Sequence, residues 1–356
     1  SIRWCPPPVP ASEVSPGLSV KPTRTEDHAG RRLGGRQNVQ APSGTADGSA
    51  SDLPAPLKGR DVKYRLVTRS DFDGLVCAVL LRQLELIDDI TFVHPKDVQN
   101  GIVPITGADI LTNLPYAPAA HLVFDHHHSE TLRLGGTAPN HVIRAEAPSA
   151  ARVIYDHYGG AERFPDVSTE LMAAVDQADS AAYDLEDVLR PVRWTLLNFL
   201  MDSRTGLGRF REFRISNYQL MMQLIDACIR HSEVEEILAL PDVAERADLF
   251  QAQSTLFVEQ LHRVSRQRGD VVVVDLRDED TIHAGNRFMV YALFPQARVS
   301  VHVIWGKQQQ NTVLAVGKSI LDRSSPADIG AVMLRYGGGG HVAAGTCPVP
   351  HEAAER

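Results

Sequence analysis

From about Asp61 onward the chain alternates β-branched runs with stretches of helical spacing. VKYRLVT, Val62–Thr68, reads as a strand. Leu75–Ile87 then sets Val76, Val79, Leu80, Leu84 and Ile87 along one side of a helix. ITFVHP (Ile90–Pro95), Ala108–Leu111 and AHLVF (Ala120–Phe124) read as further strands, and Ser149–Tyr158 and Ser168–Asp176 as helices. Strands alternating with helices predict a largely parallel α/β sheet. From about Leu185 to Gln267 the spacing is helical, broken by SRTGLGRFREFR. Strands return over residues 271–276, 287–294, 298–305 and 311–320, followed by a helix over Pro326–Arg335 with a Ser-Pro start signal. The expected architecture is α/β in two domains: a larger parallel-sheet domain over 61–200, a helical linker over 201–267, and a smaller mixed-sheet domain over 268–356. Residues 1–60 are rich in Pro, Gly, Ser and Ala and show no periodicity. Such a segment buries too little apolar surface to offset its ordering entropy, so a disordered or low-complexity extension is expected there.

Composition narrows the class. The 356 residues are 43% hydrophobic, enough for two ordinary cores, and mean hydropathy is −0.16. Net charge is −8 and the pI about 6.0, which argues against coating duplex DNA and leaves room for a small anionic substrate in a local basic pocket. The four cysteines are scattered with no CxxC, as suits a reducing compartment without disulfides or a thiolate zinc site. The longest apolar run, Leu75–Leu81, falls far short of the ~20 residues of a membrane span, and the N-terminus has no secretory core. A cytoplasmic protein without a membrane partner is the expectation.

The polar residues that follow the strands carry the chemistry. VTRSDFDG places Asp71 and Asp73 two residues apart where the chain must turn. Two such carboxylates repel, unless a cation lies between them. Asp109 lies within or beside the short strand Ala108–Leu111, and Asp125, His126, His127 and His128 follow Ala120–Phe124. In a parallel sheet the C-terminal strand ends share one edge, where ligands bind. Asp-x-Asp-Gly alone is a common turn, but three adjacent imidazoles after an apolar strand cannot all enter a core. Carboxylates with imidazole and no thiolate suit manganese or magnesium better than zinc or copper, and manganese (with magnesium as the alternative) is the expected cofactor. Two ions about 3.5–4 Å apart would clamp a phosphoryl transfer.

SDFDG, the Asp109 of ADILTN, and the DHH of FDHHHSE resemble the first three motifs of the DHH phosphoesterase superfamily. That group contains nano-RNases, exopolyphosphatase-like proteins and family II pyrophosphatases. GGGGHVAAG, Gly337–Gly345, resembles the signature of the DHH-associated domain. The resemblance spans about Asp61 to the C-terminus. It implies one or two ions, with Asp71 on one, Asp73 on the other and Asp109 bridging them. It further implies His126 as a ligand, Asp176 or Asp179 from LMAAVDQADSAAYD completing the set, His127 facing the substrate phosphate or the leaving oxygen, and Asp125 orienting a histidine. The family often has a histidine two or four positions before the first aspartate. Here those positions hold Arg69 and Val67, so one ion site is in doubt, and Arg69 either holds phosphate or pairs with a carboxylate.

GGGGH lacks the Walker pattern, so a P-loop is excluded. Its backbone N–H groups could still cup phosphate oxygens, with His341 adding a donor beside Gly338, Gly339 and Gly340. The resemblance also implies contacts from Lys318 and Ser319. Arg204, Arg209, Arg211 and Arg214, interleaved with Phe210 and Phe213, read either as a nucleotide grip or as a solvated face over core phenylalanines. The expected function is hydrolysis of short phosphate-containing substrates by a metal-activated water. The candidates are a short single-stranded oligonucleotide or dinucleotide, a nucleotide bisphosphate, or polyphosphate. The alternative is a nucleotide- or phosphate-binding protein that keeps the fold without turnover. A homodimer is left open.

Overall fold

Apolar burial in the computed structural model, which describes residues 63–136, 138–210 and 212–354, centres on one helix lying against a parallel sheet. The expected irregular segment 1–60 lies outside the described residues. The first half of the chain runs β1 (Tyr64–Thr68), α1 (Phe72–Gln83), β2 (Ile87–Phe92), α2 (Pro95–Gln99), β3 (Asp109–Thr112), β4 (Leu122–Asp125), α3 (His128–Leu134), β5 (His141–Ile143), α4 (Ala150–His157) and α5 (Thr169–Asp179). The strands lie in the order β2-β1-β3-β4-β5, every pair parallel. Helix α1 is buried continuously from Phe72 to Leu81, because it packs against the sheet on one side and against α4, α5 and a later helix, α8 (Asn217–Arg230), on the others.

Helical segments follow: α6 (Leu185–Leu189), α7 (Arg193–Met201), α8 (Asn217–Arg230), α9 (Val234–Leu238) and α10 (Pro241–Val264). The chain then forms β6 (Ser265–Arg268), β7 (Val271–Asp275), α11 (Met289–Leu293), β8 (Val299–Trp305), β9 (Thr312–Lys318), α12 (Ile329–Arg335), β10 (Gly339–His341) and β11 (Ala344–Val349). Its sheet runs β10-β11-β9-β8-β7-β6 and is mixed: β7 and β8 are parallel and the other neighbours antiparallel. The fold is thus α/β with one parallel and one mixed sheet. Among the described residues no helix is long and apolar enough to cross a membrane.

Two element expectations change. Helix α1 stops at Gln83, and Glu85 takes φ 57°, so Ile87 opens β2 instead of closing the helix. RFMVYALF, read as a strand over 287–294, contains helix α11, with Met289, Val290 and Tyr291 buried. A short run that is apolar throughout carries no periodicity to separate the two conformations.

Local chemistry sets the elements that matter for the site. Asp71 caps α1, accepting from Gly74 N at 3.0 Å. Gly74 is obligatory, since a Cβ there would sit 2.1 Å from the Arg69 carbonyl oxygen. Ser149 caps α4 and Ser168 caps α5.

Candidate metal centre

The C-terminal edge of the parallel sheet gathers Asp73, His126 and Asp179, whose ligand atoms all lie within 4.8 Å of one another. Each comes from a different element. Asp73 sits in the first turn of α1 and is 2% exposed. Its oxygens accept from Ala150 N at 3.1 Å and Ala151 N at 2.8 Å, the first amides of α4. His126 follows β4, and Asp179 ends α5.

His126 Nδ1 lies 3.2 Å from the Ala147 carbonyl, which fixes the proton on that nitrogen. Its Nε2 lies 2.9 Å from Asp179 Oδ2, yet it is buried and has no well-aimed hydrogen bond among the described residues. Such a nitrogen, facing two carboxylates, has the disposition of a ligand. The electrostatics agree. Burial, and next the facing Asp179, push the Asp73 carboxyl up to about 7. Burial would lower His126, but its contact with Asp179, then the Asp73 charge, raise it to about 9. Burial would raise Asp179, and the same contact holds it below the usual carboxylate range. A divalent ion would relieve the crowding of the carboxylates and displace the imidazole proton. The donor set therefore fits a divalent cation.

Asp71 is held differently. Arg69 Nε lies 3.1 Å from its Oδ2, and Asn113 Nδ2 lies 3.4 and 3.5 Å from its two oxygens. Burial raises its pKa and the Arg69 charge opposes that shift. Arg69 thus pairs with a carboxylate, the second of the two roles expected for it. Asp125 is fully buried, and its Oδ1 accepts from His126 N at 2.8 Å, His127 N at 3.2 Å and His127 Nδ1 at 2.7 Å. Among the described residues no hydrogen bond or ion pair engages His127 Nε2. The His127 ring is 4.6 Å from that of His126 and 5.9 Å from that of His341, which comes from β10 of the other sheet. His128 opens α3, exposed, with Nδ1 3.4 Å from Thr131 Oγ1.

Two expected ligands lie elsewhere. Asp109 begins β3, so it occupies the opposite edge of the parallel sheet from the centre. There it takes Arg65 Nε at 2.7 Å and Thr106 N at 2.7 Å, and these bonds hold it ionised against its desolvation. It cannot bridge ions at the far edge. The residue at the site end of that strand is Asn113, buried, with φ 55°. Its position directly after a short apolar strand was the signal, masked by the carboxylate four residues earlier. Asp176, one turn before Asp179, is taken by Arg152 (Nε at 2.9 Å) and Ser149 (Oγ at 2.8 Å). It ties α4 to α5, and Asp179 alone of the two reaches His126.

The glycine run forms β10 and its turn, not an open loop. A Cβ at Gly338 would meet Thr346 O at 2.2 Å, and one at Gly340 would meet Ala344 O at 2.3 Å, whereas Gly339 has nothing within 4 Å. Gly337, at φ 79°, ends α12. Burial, and after it the His127 and Arg69 charges, lower the pKa of His341. Lys318 Nζ donates to Ala327 O at 3.1 Å, and Ser319 Oγ accepts from Asp322 N at 3.0 Å. Both line a cavity of about 240 Å³ with Ser180, Ala181, Arg323 and Ala343.

Fold and donors together define a candidate divalent-metal site at the edge of a parallel sheet, with His341 of a second, mixed sheet near it. No family model and no curated relative matches the chain. Among solved structures it is similar to the pGpG-specific phosphodiesterase PggH from Vibrio cholerae, at 59% identity and TM-score 0.73, covering 83% of this chain and 96% of that one. CDC45 from Entamoeba histolytica (10% identity, 82% and 93% covered, TM-score 0.43) also aligns, too loosely to carry an argument. The same holds for a putative family II inorganic pyrophosphatase from Methanococcus jannaschii (14%, 77% and 90%, 0.25). The chain belongs to the DHH phosphoesterase superfamily, in the family of the Vibrio phosphodiesterase, and is a hydrolase of phosphoester bonds.

Proposed function

We propose that the protein hydrolyses 5′-phosphorylated dinucleotides of the pGpG type to mononucleotides, using one divalent ion held by Asp73, His126 and Asp179. What carries this reading is the convergence of those three donors in a chain 59% identical to a pGpG-specific phosphodiesterase. The mixed carboxylate–imidazole set favours manganese over magnesium. An ion bound there would lower the pKa of water and offset phosphate charge.

The chain's own groups do the rest. Asp73 is fixed by two amides of α4, and His126 by the Ala147 carbonyl, so both are preorganised. Asp125 holds His127 by Nδ1, leaving Nε2 to face a phosphate oxygen or the leaving 3′ oxygen. Water adds to phosphorus, the bond from phosphorus to the 3′ oxygen breaks, and that oxygen leaves carrying a proton. His341 closes the site from the other sheet. Arg69 and Asn113 saturate Asp71, which supports one ion rather than two. Three described cysteines are free and buried, in keeping with a cytoplasmic home for an enzyme of nucleotide turnover.

Purified protein stripped of metal and reloaded with manganese should convert pGpG to GMP. It should do so faster with manganese than with magnesium, and lose the activity on chelation. Absence of turnover with either ion, alongside retained nucleotide binding, would instead make the protein a binder.

A further inference from the structure

Two arginines on adjoining loops share one buried acid. Asp202 follows α7 and is 8% exposed. It caps the next turn by accepting from Arg204 N at 2.9 Å, and the same Oδ1 takes Arg204 Nε at 2.7 Å. Its Oδ2 lies 3.6 Å from Arg287 Nε, which is buried and has no hydrogen bond among the described residues. The two loops are locked together. Gly285 N donates to Thr205 O at 2.9 Å, and buried Asn286 ties to Val188 O at 3.1 Å. Arg287 also lies over the Phe288 ring at 4.0 Å.

One carboxylate thus serves two guanidinium groups, leaving an excess positive charge. Their side chains are 56% and 32% exposed, so the forks remain open to a ligand. Arg204 is close enough for its charge to act on Asp71 and Asp179. Arg209, on the same loop, adds a third cation, folded over Gly206. A buried acid that orients two adjacent arginine forks is a built receptor for a dianion.

We propose that Arg204 and Arg287, oriented by Asp202, hold the terminal 5′-phosphate of the substrate while the next phosphate lies at the metal centre. This rests on the dinucleotide reading above and names what selects the substrate within it. The Arg287 pKa, lowered to about 10 by burial and the neighbouring Arg204, is what such crowding produces before an anion arrives. A phosphomonoester dianion suits the pair better than a diester, because it presents more oxygens and twice the charge.

The test compares pGpG with GpG, which lacks only the terminal phosphate. Wild type should favour pGpG in kcat/KM by about tenfold or more, the worth of one or two charged hydrogen bonds. Arg287→Ala, which touches no metal donor, should bring that ratio toward one, chiefly through KM for pGpG. Arg287→Lys should recover part of it. Equal cleavage of pGpG and GpG by wild type overturns the proposal without any variant, while leaving the phosphodiesterase reading intact. Cleavage of neither sinks that reading as well. If Arg287→Ala alters discrimination between pGpG and pApA but not between pGpG and GpG, the pair reads a base and the proposal is wrong.

Discussion

At the residue scale, the chemistry turns on which of several carboxylates reach a shared point. Asp176 and Asp179 lie one helical turn apart but do different work. Asp179 meets His126, and Asp176 meets Arg152 and Ser149. Asp179→Asn should therefore lower the manganese content of the purified protein by about tenfold or more, a loss at least as large as that of an outer partner. Asp176→Asn should keep the ion and lower stability by about 1 kcal/mol, since its ion pair is partly exposed. Elemental analysis and thermal melts of both variants decide it, and equal metal loss in both would mean the assignment is wrong. The sequence announced Asp73, His126 and His127 because they directly follow strands or open a helix. It misdirected the reading at Asp109, because neither composition nor spacing says at which end of a short strand a residue lies. Asn113 was overlooked because an amide does not look like a ligand. Its role is to donate to Asp71, beside Arg69, where a cation was expected.

At the element scale, the glycine run shows how close packing substitutes for side chains. Strand β10 lies against β11 and α12, and Gly340 approaches the backbone of Ala344 and Gly345 too closely for any Cβ. Backbone cannot yield as a side-chain tip can. Gly340→Ala should cost about 1–3 kcal/mol through overpacking, and should disturb His341 on the same strand. Gly339→Ala, which meets open space, should stay within about 0.5 kcal/mol of wild type. Comparative melts of the two variants test this, and similar losses would show that the run is needed for backbone freedom rather than for close approach. The alternation of strands and helices in the first half was readable because β-branched runs there alternate with stretches of helical spacing. The helix α11 was not, since its eight-residue apolar surroundings have no polar face to set a period. Strands β6 and β10 were also illegible. The first is largely polar and exposed, and the second is made of glycine and histidine.

At the scale of the whole molecule, one apolar cluster runs from Leu66 and α1 through α5, α7 and α8 to Val272, Val274 and α11. The two sheets are therefore joined through a continuous core. A separate cluster of Val299, Val316, Ile329, Met333, Cys347 and Val349 lies under α12 and supports the strand that carries His341. Arg323 reaches from the second sheet's side to the carbonyl of Ala181 at 2.8 Å, just past the end of α5. The site is thus assembled from the ends of many elements. That explains why the individual motifs were visible in the sequence while their division of labour was not. On the proposed reading the protein binds one divalent ion, among Asp73, His126 and Asp179, with Arg69 and Asn113 filling the place of a second at Asp71. Anomalous diffraction from manganese-soaked crystals tests it most directly. A single peak per chain is expected, within coordination distance of those three side chains. Two peaks, or one peak on Asp71, would contradict it.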